Sequence, residues 1–158
     1  MMTVERVSRW PIVCLTVALV IGWPRSEAAQ TVALCTIESS GIEFGIYDPL
    51  DSVPLDATGG ITYTCSTQMA VVIVMTTGDG GSFDRRMASG SDTLAYNLYV
   101  DSARTRVWGD GAFGTATHVD LSPPKDASVG VTVYGRIPAG QDVAEGRYTD
   151  NLMLVMVF

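Results

Sequence analysis

Past residue 28 the apolar positions fall into short runs rich in Val, Ile, Thr and Tyr, divided by clusters of Gly, Pro, Asp and Ser. No stretch there keeps the spacing of an amphipathic helix. Such runs between turn residues predict an all-β sandwich or barrel. The first candidate strand is Thr31 to Ile37, followed by a short piece around Ile42 to Tyr47. Gly59-Gly60 precedes a run from Ile61 to Ser66. Ala70 to Thr77 is almost entirely apolar or β-branched, which predicts burial on both faces. The turn Gly78-Asp79-Gly80-Gly81 ends it. Leu94 to Asp101 is the next strand, and Gly109-Asp110-Gly111 the next turn. Ser122-Pro123-Pro124 interrupts pairing, because proline cannot donate to a ladder. Val129 to Ile137 follows, with Val129, Val131 and Val133 on one face, and Pro138-Ala139-Gly140 closes it. Arg147 to Phe158 is the last strand. Six or seven strands of this kind make an immunoglobulin-like sandwich. Tyr148, just after Gly146, fits either a tyrosine corner, whose hydroxyl ties back to the backbone, or an ordinary strand tyrosine.

The last run is the most informative. Seven consecutive residues, Leu152 to Phe158, are apolar, and no charge follows Asp150. Both faces of such a strand have side chains to bury, and both edges have backbone groups that need partners. It is therefore expected in the middle of a sheet. With the sequence ending at Phe158, no later segment stands beside it, and an uncovered apolar edge is an aggregation template. Either an earlier strand covers that edge, or a second chain lends one, as in β-augmentation. The second solution is preferred, with Leu152, Leu154, Met156 and Phe158 as the accepting edge. Burying four or five large side chains this way is worth roughly 1.5–3 kcal/mol each.

The N-terminus points to a compartment. Arg6 and Arg9 precede an apolar run of 14 residues, Trp10 to Trp23, short of the roughly 20 needed to span a bilayer. Ser26-Glu27-Ala28 places small residues at the −3 and −1 positions of a cut after Ala28. Residues 1–28 thus read as a secretory signal and 29–158 as the mature domain; an N-terminal anchor helix is the alternative. Cys14 follows bulky Val13 inside the run, which does not fit a lipoprotein cysteine. The mature part holds seven basic and fifteen acidic residues. Its Lys and Arg are scattered, with Arg85-Arg86 the one adjacent pair, which argues against nucleic acid as a partner. Cys35 and Cys65, an even count in an exported chain, read as a disulfide. It closes a loop of about 30 residues, worth roughly 3.5 kcal/mol in the chain-entropy description. Two cysteines and one histidine do not make a four-ligand zinc site.

A set of motifs then points to a family. They are Cys35, Phe44-Gly45-Ile46-Tyr47-Asp48-Pro49, Tyr63-Thr64-Cys65, Arg86-Met87 with Gly90, and Leu94-Ala95-Tyr96-Asn97-Leu98-Tyr99-Val100-Asp101. Trp108-Gly109-Asp110-Gly111, Tyr134-Gly135-Arg136-Ile137-Pro138-Ala139-Gly140-Gln141 and Gly146-Arg147-Tyr148-Thr149-Asp150 complete the order. In this order they resemble the spore coat protein U family, whose members include subunits of archaic chaperone–usher pili. The resemblance implies an incomplete immunoglobulin-like β-sandwich lacking its final strand, with Cys35 and Cys65 bonded. It also implies a periplasmic chaperone that lends a strand, an outer-membrane usher, other pilus subunits linked by donor strands, and a place on the cell surface. One departure stands out. Subunits of the family that polymerise in mid-fibre carry an N-terminal extension that fills the next subunit's groove. A cut after Ala28 leaves six residues before Cys35, about 20 Å at roughly 3.3 Å each. Only Val32 and Leu34 could serve as alternating plugs. The expectation is a subunit that accepts a strand but donates poorly, at a fibre tip or in a minor position.

Catalytic chemistry finds little support. His118 is the only histidine, and a packing or solvent-exposed role fits it better than that of a general base. Asp79, Asp84 and Asp110 lie among glycines, a pattern of turns more than of calcium loops. No motif selects a carboxylate pair for glycoside hydrolysis. No cofactor is expected, and the chain is not read as an enzyme. Trp108 and Phe113, with Tyr96 and Tyr99, could form an adhesive aromatic surface, but core positions for Trp108 and alternate residues of the Tyr96–Tyr99 strand are preferred. The alternatives to a pilus subunit are a surface adhesin using the Val107 to Thr117 loop, and a self-complete secreted coat protein.

Overall fold

A computed structural model describes residues 32–158. The expected signal segment and Ala29 to Thr31 lie outside the described residues. Nine strands follow in chain order: β1 (Cys35–Gly41), β2 (Leu55–Cys65), β3 (Val71–Met75), β4 (Arg86–Ser89), β5 (Asp92–Ala95), β6 (Asn97–Tyr99), β7 (His118–Asp120), β8 (Val129–Ile137) and β9 (Leu154–Val157). They form an antiparallel sheet β1-β2-β8-β6, a second β7-β3-β9, and a two-stranded ribbon β4-β5. The core lies between the two main sheets. Ile61 and Tyr63 of β2, Val133 and Ile137 of β8 and Leu98 of β6 meet Val71, Ile73 and Met75 of β3. This is an immunoglobulin-like β-sandwich, left open along β9. Its outer faces differ. The larger sheet shows threonines and an Arg136–Asp56 ion pair with Nε–Oδ1 at 2.7 Å. The smaller one shows Val119, Val155 and Val157, all partly exposed.

Three differences from the sequence expectation have local causes. Gly59-Gly60 does not precede a strand but lies within β2, where β1 shifts register between Ser39 and Gly41. The Gly41 carbonyl there passes so close to Gly59 that any Cβ would collide with it. The run Leu94 to Asp101 is not one strand. The Tyr96 N–H still donates to the Arg85 carbonyl at 3.0 Å, one step beyond the Arg86–Ala95 pair, and the run then changes partner, β5 pairing with β4 and β6 with β8. The run Ala70 to Thr77 is not buried on both faces. Val71, Ile73 and Met75 are buried, while Val72 and Val74 share the half-covered outer face.

Candidate strand-accepting cleft

β9 hydrogen-bonds to β3 alone among the described strands, pairing Met75 with Leu154 through Val72 with Val157. The expectation that both faces of this run are buried does not hold. β9 is an edge strand, and Val155 and Val157 on its outer side are 39% and 56% exposed. Along its free edge an open, mainly apolar cleft of about 1170 Å³ separates it from the segment Ile42 to Tyr47. Leu152 and Leu154 form one wall, Ile42 and Phe44 the other, and Met75, Leu98, Val133 and Ile137 line its depth. The alternation along the last run explains why these side chains point inward: successive strand residues face opposite sides, and Leu152, Leu154 and Met156 take the core side.

A polar knot closes one end. The Tyr96 hydroxyl donates to Asp150 Oδ2 at 2.6 Å, and the N–H groups of Asp79 and Asn151 donate to Asp150 Oδ1 at 2.8 and 2.9 Å. Burial, then the adjoining carboxylate, push the Tyr96 phenol well above its ordinary pKa. Asp150 thereby fixes the turn at Gly78-Asp79 to the entry of β9. The Tyr148 hydroxyl donates to the Ala144 carbonyl at 2.8 Å, the tie of a tyrosine corner.

Of the four residues read as the accepting edge, Leu152 and Leu154 line the cleft. Met156 packs against the core, and Phe158 lies past β9, 52% exposed. The opposite rim, expected only as a short strand piece around Ile42 to Tyr47, belongs to no sheet, and its part as a cleft wall was not legible in the sequence. Cys35 and Cys65 are directly opposite in the β1–β2 register and are disulfide-bonded. Trp108 is withdrawn as an adhesive aromatic. It is fully buried, and its indole Nε1 donates to the Ile73 carbonyl at 3.0 Å. Tyr96 and Leu98 are buried too. Phe113, by contrast, is 95% exposed.

His118 lies 6.0 Å from the Trp108 ring, centre to centre, and its Nε2 is buried without a partner among the described residues. Burial lowers its pKa below the ordinary 6.5, against a smaller opposing pull from Asp120. The unfolded chain therefore binds this proton first. Its contribution is complete above about pH 6.5 and is lost as pH falls through and below that value. His118→Phe is expected to flatten the drop in urea midpoint between about pH 7.5 and pH 5.5; an unchanged drop would assign it elsewhere. Asp79, Asp84 and Asp110 sit in separate turns. Asp110 accepts from the Ala112 N–H at 2.8 Å, and Asp79 from the Asn151 side chain at 2.9 Å.

Comparison with known proteins bears on this cleft. A family model described as the Spore Coat Protein U domain matches residues 25–154. Protein U of Myxococcus xanthus is 32% identical over 148 residues, 82% of this chain and 80% of that protein. Among solved structures, the fold is similar to a chain in the crystal structure of the CsuC–CsuE chaperone–tip adhesion subunit pre-assembly complex, from archaic chaperone–usher Csu pili of Acinetobacter baumannii. The TM-score is 0.56 at 19% identity, and the match covers 80% of this chain and 40% of that one. At that identity the likeness concerns the fold. Motif order, sandwich and disulfide agree with the sequence match: the chain is a member of the Spore Coat Protein U domain family.

Proposed function

We propose that this chain is a structural subunit of a chaperone–usher surface pilus. It is exported behind a signal at residues 1–28, held in the periplasm by a chaperone, passed to an outer-membrane usher and joined to other subunits by donated strands. The observation that carries this reading is the open apolar cleft beside an edge strand whose outer backbone groups pair with no strand among the described residues. A single extended segment with alternating apolar side chains satisfies both needs at once: its backbone pairs with β9 and its side chains fill the space over Val133 and Ile137. The work done is strand exchange, without catalysis.

The subunit accepts a strand and donates poorly, which fits a fibre tip or a minor position. Six residues precede Cys35 after a cut at Ala28, and Leu34 is not free to leave. Its N–H donates to Ser66 Oγ at 3.0 Å and its carbonyl accepts from the Ser66 N–H at 2.8 Å. A second reading, an adhesin, has one observation in its favour. Phe113 is bulky, exposed, and held at a φ of 52°, and strained loop residues concentrate at binding sites.

One experiment addresses these points. The full chain is co-expressed in a bacterial periplasm with a chaperone of the chaperone–usher type and purified by a tag on the chaperone. The expected product is a one-to-one complex that does not polymerise by itself. A stable chaperone-free monomer would instead favour a self-complete secreted protein, and spontaneous self-polymerisation would overturn the acceptor-only role. The same complex carrying Phe113→Ser should assemble normally; unchanged surface adhesion of the assembled variant would dismiss the adhesive reading.

A further inference from the structure

An apolar cleft in water is not open by default, because its two walls gain by closing on each other. The rim opposite β9 could do so. Ile42 to Tyr47 belongs to none of the sheets. Gly41 at its start and Gly45 within it adopt φ of 70° and 82°, with open space where a Cβ would stand. The rim is held by its side chains instead. Ile42 and Phe44 rest on Gly135, where a Cβ would come within 2.5 Å of Ile42 Cδ1 and 2.7 Å of Phe44 Cζ. Phe44 also meets the Tyr96 ring edge-on at 5.9 Å.

The far end is tied by hydrogen bonds. The Tyr47 hydroxyl donates to the Pro138 carbonyl at 3.1 Å and accepts from the Gln141 N–H at 2.8 Å. The Gln141 side chain in turn accepts from the Ala95 N–H at 2.7 Å and donates to the Ala95 carbonyl at 2.9 Å. That pair of bonds is what a neighbouring strand would offer β5, so a side-chain amide stands in for a strand. The rim is thus connected through Tyr47 and Gln141 to the ribbon β4-β5. This joins two sequence motifs that strand acceptance alone leaves unexplained, Phe44–Pro49 and Tyr134–Gln141.

We propose that Tyr47 and Gln141 are positioning residues of the cleft: they hold the rim away from β9, so that the site is open before a strand arrives. The inference rests on the strand-accepting reading. Losing the tie lets the rim close part of the time, and uptake falls in proportion to the fraction of time the cleft is open. Once a strand is bound, that strand holds the rim, so the filled form loses little.

The test dilutes the full chain, separated from its chaperone in denaturant, into a labelled synthetic peptide copying the chaperone's donor strand, so that refolding and strand uptake are followed without a stable empty monomer. Association is followed by stopped-flow fluorescence, and thermal unfolding is measured on the filled complex. Gln141→Ala and Tyr47→Phe are expected to slow association about tenfold, with dissociation and the unfolding midpoint of the filled complex nearly unchanged. Should Gln141→Ala fail to fold, Tyr47→Phe decides, since it removes one oxygen only. Normal association in Tyr47→Phe, or a filled complex whose unfolding midpoint falls along with the association rate, would overturn the inference and leave the strand-accepting reading standing. Failure of the unsubstituted chain to take up the peptide would overturn both.

Discussion

Replacing Arg85 by methionine is expected to remove roughly 3–5 kcal/mol of stability, as several buried acceptors lose their donors at about 1–3 kcal/mol each. Arg85 is 1% exposed and is the buried charged residue of the described core. No carboxylate lies within ion-pair distance of it among the described residues. Its guanidinium instead donates from Nε and Nη2 to the Thr76 carbonyl at 3.2 and 2.7 Å, from Nη2 to the Trp108 carbonyl at 2.7 Å, and from Nη1 to Asn97 Oδ1 at 2.8 Å. Those acceptors come from the end of β3, the loop before β7 and β6, so one side chain ties the turns that close the sandwich. Burial pulls its pKa below the ordinary value, with Tyr96 and Asp150 opposing. A whole domain holds only about 5–15 kcal/mol in reserve, so the variant should be largely unfolded or show a far lower urea midpoint. Arg85→Lys should recover a minor part, because an ammonium cannot reproduce the planar fork. A loss below about 1 kcal/mol in the methionine variant, the size of an ordinary substitution, would mean that these contacts are not the closure they look to be.

A charge on the inner side of β9 is expected to end strand acceptance, while the same charge one residue away is not. Leu154 lines the cleft and pairs with Met75; Val155 pairs with Val74 on the exposed outer face. Leu154→Glu would put a carboxylate where an apolar donor side chain must lie, and burying an unpaired charge costs several kcal/mol. A 100-fold loss in affinity corresponds to about 2.7 kcal/mol, so retention on a tagged chaperone should fall at least that far. Val155→Glu stays in water and should be retained within a few-fold. Equal loss from both would show that β9 tolerates no charge at all and that the inner wall has no special part in recognition.

The two predictions mark the boundary between what pattern and what contact can say. The all-β class, the Val129–Ile137 strand and the disulfide partners were legible in the sequence, because each rests on local chemistry: β-branched runs, turn residues, an even cysteine count in an exported chain. The inward set Leu152, Leu154 and Met156 was legible too, since a period of two is a property of the strand itself. The change of partner at Tyr96 was not, because it depends on β4 lying beside one half of the run and β8 beside the other. Arg85 stood out in the sequence only as half of the one adjacent basic pair, and its burial was not legible there, since its carbonyl acceptors gather only when β3, β6 and the Trp108 loop come together. Trp108 could have faced either way on pattern alone. Its burial follows from the Ile73 carbonyl that its indole N–H meets across the core.

The open edge divides in the same way. By itself the sequence determined that the last run is apolar on both faces and needs covering, because hydrophobic side chains and backbone donors are there to be counted. It took the folded chain to show that β9 pairs with β3, that the second wall of the cleft is the Ile42–Tyr47 rim, and that Tyr47 bonds to Pro138 and Gln141. The last of these joins residues 91 and 94 positions apart, and no local pattern encodes such pairs.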